Sequence, residues 1–200
     1  MNILIFGPNG SGKGTQGAIV QKKYNMTHVE SGGIFRLNIK GGTELGKRAK
    51  PIMERGELVP DEIVLGMVEE RVARPDCASG FVLDGFPRTI PQAQGLDELL
   101  RRRGFGKALV LHIAVEYEKL LRRLTGRRTC ATCGEIYNIY ARAPKVEGKC
   151  DKDGGELTQR KDDREEVIRE RIAAYDRQTT PLIEYYRAQS GLVDIDGAAD

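Results

Sequence analysis

Short uninterrupted apolar runs recur along the chain at 3–6, 81–83, 108–115 and 192–195, beginning with Ile3-Leu4-Ile5-Phe6 and including Phe81-Val82-Leu83. They lack the polar alternation of a half-exposed strand, which is the pattern expected when both faces of a parallel sheet are covered. Between them lie segments with helical spacing, at about 12–23, 43–55, 61–74, 89–102, 116–125 and 163–188. In the 61–74 segment Ile63, Val64, Met67, Val68 and Val72 share one face, and Asp61 is placed to cap its start. Pro181 is expected to kink or restart the last helix, since proline carries no N–H to bond the preceding turn. Strands alternating with helical crossovers predict an α/β fold, a doubly wound parallel sheet flanked by helices, with ligands at the carboxyl ends of the strands.

One stretch breaks that pattern. Between Gly126 and Asp163 glycines, prolines and three of the four cysteines replace the aliphatic residues from which a core is built. A small insertion of this kind needs another source of stability. Cys130-Ala-Thr-Cys133 is one knuckle, and Cys150-Asp-Lys-Asp153 is a second whose last ligand is a carboxylate. Three thiolates and one oxygen suit tetrahedral zinc in a closed, structural site. Asp151 competes with Asp153 as the fourth ligand, and a Cys130–Cys133 disulfide or unpaired thiols are the alternatives to metal. Cys77 lies outside the cluster and reads as a half-buried apolar residue.

The first apolar run leads into Gly7-Pro-Asn-Gly10-Ser11-Gly12-Lys13-Gly14-Thr15. The register is Gly7-x4-Gly12-Lys13-Gly14-Thr15, a variant of the P-loop with Gly14 where Ser or Thr usually follows the lysine. Glycine permits the dihedrals that turn successive backbone N–H groups into one anion-sized cradle, and the helix that follows adds its positive end. Lys13 supplies a mobile ammonium for the outer phosphates, and Thr15 a hydroxyl for magnesium or a phosphate oxygen. Past the run at 81–83 comes Asp84-Gly-Phe-Pro-Arg88. An aspartate at a strand end beside such a loop can hold magnesium through water, and Arg88 can fork two phosphate oxygens. Gln92, one helical turn on, offers a donor and an acceptor to a purine edge.

Composition narrows the class without naming it. Charged residues are 30% and hydrophobic ones 40%, which indicates a globular chain, and a net charge of +3 is too small to imply nucleic acid. No apolar run approaches the roughly 20 residues needed to cross a bilayer. Met1-Asn2 runs straight into the first strand with no basic n-region, so no secretory leader and a cytoplasmic location are expected. Arg101-Arg102-Arg103 reads as a solvated helix end, whereas the arginines at 122–128 and 160–171 fall near the insertion. His28 and His112 read as core or boundary residues in apolar surroundings.

Taken together, these stretches resemble the adenylate kinase family. The resemblance is carried by Gly7 to Thr15, Ser31-Gly32-Gly33-Ile34-Phe35-Arg36, Gly56 to Val59, Leu83 to Thr89, Gly126-Arg127-Arg128 and Arg160 to Asp163, and the knuckles match its metal-containing bacterial subgroup. The family's P-loop has glycine between the lysine and threonine, which accounts for Gly14. Ser31 stands at a position that is often threonine, and Gly33 at one that is frequently aspartate.

The resemblance implies reversible phosphoryl transfer from ATP to AMP, giving two ADP, with Mg2+. The ATP site would fall on Gly10, Ser11, Gly12, Lys13, Gly14 and Thr15, with Arg123 stacking on the base, Arg127, the backbone near Ile136 and Tyr137, and Ala199. The AMP site would fall on Ser31, Arg36, Glu57, Leu58, Val59, Gly85, Phe86, Pro87, Arg88, Gln92, Arg160 and Arg171. Lys13, Arg88, Arg127, Arg160 and Arg171 would neutralise the migrating group. The core would comprise 1–29, 60–125 and 164–200, with an AMP-binding segment at 30–59 and a zinc-binding lid at 126–163 that closes to exclude water. A monomer that engages neither nucleic acid nor membrane is expected. The rivals are a kinase for another nucleoside monophosphate, and a nucleic-acid-binding protein built on a zinc ribbon.

Overall fold

The computed structural model describes residues 1–54, 59–160, 163–189 and 191–198. In chain order the elements are β1 (Ile3–Phe6), α1 (Lys13–Tyr24), β2 (Thr27–Glu30), α2 (Ser31–Lys40), α3 (Glu44–Glu54), α4 (Asp61–Val72), β3 (Phe81–Asp84), α5 (Ile90–Arg102), β4 (Leu109–Ala114), α6 (Tyr117–Thr125), β5 (Arg127–Cys130), β6 (Ile136–Asn138), β7 (Leu157–Thr158), α7 (Glu165–Ala188) and β8 (Leu192–Asp196). The chain divides into two compact units, one of Met1–Gly7, Gly12–Ile113 and Arg177–Ile195, the other of Pro8–Ser11, Ala114–Asp176 and Asp196–Asp200.

The first unit is built on a five-stranded sheet in the order β2-β3-β1-β4-β8. β1 pairs in parallel with β3, Leu4 opposite Leu83, and with β4, Leu4 opposite Val110. The chain thus crosses β1 between β3 and β4, the reversal that defines a doubly wound sheet. All four residues of β1 are buried, as are Phe81, Val82 and Leu83 of β3, which is why both read as unbroken apolar runs. Helix α4 buries the face expected of it, Ile63, Val64, Met67, Val68 and Val72. Cys77 is fully buried rather than half-buried.

Two elements of this unit carry no such signature. β2 is an edge strand, parallel to β3, in which only Val29 is buried, so Thr-His-Val-Glu supplies a single apolar residue. α2 begins Ser31-Gly32-Gly33, poor helix formers, and is held by burial of Ser31, Ile34 and Asn38 along one face.

The structure corrects two expectations about helix ends. The cap of α4 is Pro60, whose carbonyl accepts from the Ile63 and Val64 N–H groups. Asp61 is the first helical residue, and its carboxylate is directed to α5 instead. Pro181 does not restart the last helix, because α7 continues through it as one element. The lost backbone bond is outweighed there by the burial of Leu182, Ile183 and Tyr186.

In the second unit β5 pairs antiparallel with β6 and β7, forming a three-stranded sheet in the order β6-β5-β7. Its small core is Cys130, Tyr137, Cys150 and Leu157. A separate cluster joins Leu120 and Leu124 of α6 to Ile168 and Ile172 of α7. Among the described residues no helix is long and apolar enough to cross a membrane.

Leu4 is fully buried at the centre of the first unit's sheet. Leu4→Ala should lower the unfolding free energy by about 2–5 kcal/mol through lost burial and an unfilled cavity. Urea unfolding checks this, and a midpoint equal to wild type would contradict the central position of β1.

Candidate functional site

Beyond Phe6 the chain leaves the sheet through the glycine-rich loop and enters α1. Gly10 and Gly12 have φ of 85° and 98°, a region that residues with a side chain enter only with strain. Gly12 is also the cap of α1 and makes no side-chain cap bond, so no side chain stands between the start of the helix and an anion. The Lys13 ammonium folds back to donate to the Gly7 carbonyl at 2.6 Å. Ser11 is buried, and its hydroxyl has no hydrogen-bond partner, an orphaned polar atom in a loop shaped for phosphate. Asp84, at the end of β3, lies over the first turn of α1: a Cβ added to Gly14 would stand 3.8 Å from its Oδ2.

A second cluster in the same unit forms around the turn after Asp84. Gly85 has φ of 77°, and a Cβ there would come within 2.9 Å of the Ser31 hydroxyl, so glycine lets the turn approach α2. Arg88 donates through Nε to the Gly85 carbonyl at 3.0 Å and through Nη2 to Ser31 Oγ at 3.4 Å. Gln92 is buried. Its Oε1 accepts from the Arg88 amide at 2.8 Å, and its Nε2 donates to Asp61 Oδ1 at 2.6 Å. Each amide group of Gln92 keeps capacity for one further bond. Thr89 caps α5 by accepting from the Gln92 N–H and donates to Asp61 Oδ2 at 3.0 Å. The structure therefore gathers Ser31, Gly85, Arg88 and Gln92. Phe86 and Pro87 are buried beneath them, Val59 is half-buried, and Arg36 is exposed with Glu30 3.8 Å away. Glu57, Leu58 and Ala199 lie outside the described residues.

In the second unit Arg127 makes a two-pronged pair with Asp163, Nε to Oδ2 at 2.8 Å and Nη2 to Oδ1. Asp163 is fully buried and Arg127 only 19% exposed, so the guanidinium is held in one orientation. Arg160 donates to Thr129 Oγ1 at 3.2 Å. The Arg123 carbonyl accepts from Asn138 Nδ2 at 2.9 Å, which ties the end of α6 to β6, where Ile136 and Tyr137 stand. Arg171 lies on α7, half-buried.

A family model described as adenylate kinase matches residues 5–191. The chain belongs to the adenylate kinase family. It is 54% identical over 98% of its length to the adenylate kinase of Desulforudis audaxviator (strain MP104C), of which it covers 92%. It is 49% identical over its whole length to that of Archaeoglobus fulgidus, covering 92%, and 50% identical to that of Oceanobacillus iheyensis, covering 93%.

This adenylate kinase family member also brings Cys130, Cys133, Cys150 and Asp153 together, with their ligand atoms all within 4.8 Å of one another. Cys133 and Cys150 sulfurs are 3.7 Å apart, and Cys130 Sγ is 3.3 Å from Asp153 Oδ1. A tetrahedral shell with Zn–S bonds of ~2.3 Å has an edge of about 3.8 Å between sulfurs, so the donor set and its spacing fit a four-coordinate ion. Both knuckles turn alike, with Gly134 N–H donating to Cys130 O and Gly154 N–H to Cys150 O. Asp151 is turned away and accepts from the Lys145 amide. The Gly155 N–H, with help from the thiols, holds Asp153 well below the usual carboxylate range. The Cys133 thiol is lowered by the Glu135 amide, but Asp153 and the other two sulfurs push it up to about 12. A bound cation reverses that repulsion by ionising the thiols outright. The buried Tyr137 hydroxyl accepts from the Asp151 amide at 2.8 Å and lies 3.5 Å from Cys150 Sγ.

Asp61 and Asp163 have roles that sequence reasoning missed. Asp61 read as a cap although it fixes Gln92 and Thr89, and Asp163 lay within the Arg160–Asp163 stretch with no role given. No local pattern distinguishes either from a surface acid. Neither histidine sits in purely apolar surroundings: His28 Nε2 is 3.5 Å from Asp84, and His112 Nδ1 is 2.7 Å from Asp194.

Asp163→Ala should lower the unfolding free energy by about 1.5–3 kcal/mol, the worth of hydrogen bonds to a charged group. Chemical denaturation measures it, and a loss below about 0.5 kcal/mol, the scale of an ordinary surface substitution, would contradict the structural weight given to this pair.

Proposed function

We propose that this chain transfers the terminal phosphoryl group of ATP reversibly to AMP, giving two ADP. Family membership along almost the whole chain supports the reading, and the observation that carries it is the uncapped amide loop with Lys13 at the end of β1. An oxygen of the AMP phosphate attacks the γ-phosphorus, the bond from that phosphorus to the β,γ-bridging oxygen breaks, and ADP departs with the electron pair. Such transfer depends on in-line positioning and charge neutralisation more than on a base. Mg2+ accompanying the nucleotide would supply positive charge to its phosphates, with Asp84 as the residue to hold it through water.

The residue roles are those that the family resemblance implies, read with the chemistry already described. The amides from Gly10 to Thr15 and Lys13 cradle the phosphates of ATP, and Asp84 orients magnesium-bound water. Ser31, Arg36, Glu57, Leu58, Val59, Gly85, Phe86, Pro87, Arg88 and Gln92 form the AMP site, in which Arg88 grips the phosphate and Gln92 reads the base. Arg127, Arg160 and Arg171 supply further positive charge to the transferring group, Arg160 and Arg171 also serving AMP. Arg123, Ile136, Tyr137 and Ala199 serve the adenine of ATP. The residues 126–163 act as a lid whose Cys130, Cys133, Cys150 and Asp153 hold a structural Zn2+, and a self-contained sheet of β5–β7 with little aliphatic core supports that assignment. The residues 30–59 act as the AMP-binding segment. The enzyme works as a monomer in the cytoplasm.

Lys13→Met and Arg88→Ala should each lower kcat by at least about a hundredfold, the scale of removing one partner of transition-state charge. Steady-state assay checks this, and full activity in either variant contradicts the roles. Across AMP, GMP, CMP and UMP, AMP should be the best acceptor; higher activity with UMP would reassign Gln92 and the substrate. Stripping the metal, verified by elemental analysis, should lower the melting temperature, as should Cys130→Ser, whereas superimposable melting curves with and without metal would sink the structural zinc.

A further inference from the structure

Beside the P-loop lies a group of side chains that the kinase reading does not use in full. His28 and Glu30 alternate along β2 and so point from one face of the sheet. Glu30 is in register with Asp84 on the neighbouring β3, which puts the second carboxylate on that same face. The ligand atoms of His28, Glu30 and Asp84 all lie within 4.8 Å of one another.

Two observations mark this group as more than a set of acids at a strand end. The His28 side chain is only 9% exposed, and its Nε2 is a buried atom with no hydrogen-bond partner, 3.5 Å from Asp84 Oδ2. A buried imidazole nitrogen in that condition is costly unless something else satisfies it. α1 also approaches that nitrogen through a glycine: a Cβ at Gly17 would stand 2.5 Å from His28 Nε2. A side chain at Gly17 would therefore collide with that ligand atom.

We infer that His28 Nε2, Glu30 and Asp84 form a binding site for a single divalent transition-metal ion such as Mn2+ or Co2+. Neighbouring ligands of an ion with bonds of ~2.1 Å stand about 3 Å apart, close to the His28–Asp84 separation. One imidazole with two carboxylates favours first-row transition ions over Mg2+, which prefers oxygen alone. Glu30 is 53% exposed and lies 3.8 Å from Arg36, an exposed pair weak enough to be exchanged for a cation. The assignment stands on these three side chains and does not depend on the phosphotransfer reading.

The test uses the full chain with Zn2+ already in the cysteine cluster and no nucleotide present. Mn2+ is added and followed by electron paramagnetic resonance, with electron spin echo modulation reporting nitrogen bound to the ion. The expected result is one bound Mn2+ with a directly coordinated nitrogen. His28→Gln should remove the nitrogen signal, and Glu30→Gln should weaken binding at least about tenfold. The chain has two histidines, so a nitrogen signal that persists in His28→Gln would come from elsewhere and overturn the site. No bound Mn2+ at about 1 mM free ion, the weak end of protein divalent sites, would likewise reduce His28 and Asp84 to an internal ion pair. Should His28→Gln fail to fold, the wild-type spectrum and the Glu30→Gln affinity decide.

Discussion

β1 is buried on every side, between β3 and β4 along its edges and under helices on its faces, so the chain must leave it at the carboxyl end in a loop that turns into α1. Backbone N–H groups in that loop belong to no ladder, and the helix they open is capped by a glycine with nothing to offer them. A helix start without a side-chain cap presents its positive end to an anion, and a phosphate suits that position. The neighbouring strand ends inherit their positions from the same constraint. Asp84 closes β3, and Gly85, Arg88 and Gln92 follow it around the base of α5.

The cluster around Gln92 in the first unit is fixed by hydrogen bonds rather than by packing alone. Asp61 holds the amide of Gln92 and the hydroxyl of Thr89, and Gln92 in turn holds the backbone of Arg88. That chain of contacts begins on α4 and ends at a guanidinium beside Ser31. The second unit solves a different problem. Its sheet has few aliphatic residues, and three sulfurs and a carboxylate meet between its two knuckles. Its arginines are oriented by partners, above all Arg127 by the buried Asp163.

Much of this was legible before the structure. β1 and β3 announce themselves because strands covered on both faces keep every position apolar or nearly so, β4 and the exposed edge strand β8 show through their aliphatic residues although burial there is partial or slight, and the spacing of the cysteines restricts the knuckles to one donor set apart from the choice between Asp151 and Asp153. The missed elements are those stabilised by something other than local pattern. β2 is an edge strand with one buried residue, α2 forms despite two glycines because three positions bury, and β5 to β7 are polar strands organised around the cysteine cluster. Pro181 does not restart α7, since the burial of Leu182, Ile183 and Tyr186 after it outweighs one missing backbone bond. Asp61 and Asp163 were illegible because their partners lie 28 to 36 residues away in sequence.

The central claim is that amides after β1 cradle a phosphate that moves to AMP. Phosphorus NMR of the protein with ATP, AMP and Mg2+ follows that event directly. The account requires the ATP γ-phosphorus and AMP signals to fall together while ADP rises by two molecules per AMP consumed, with no rise in inorganic phosphate. ATP lost only to inorganic phosphate, or spectra unchanged by the protein, would contradict it.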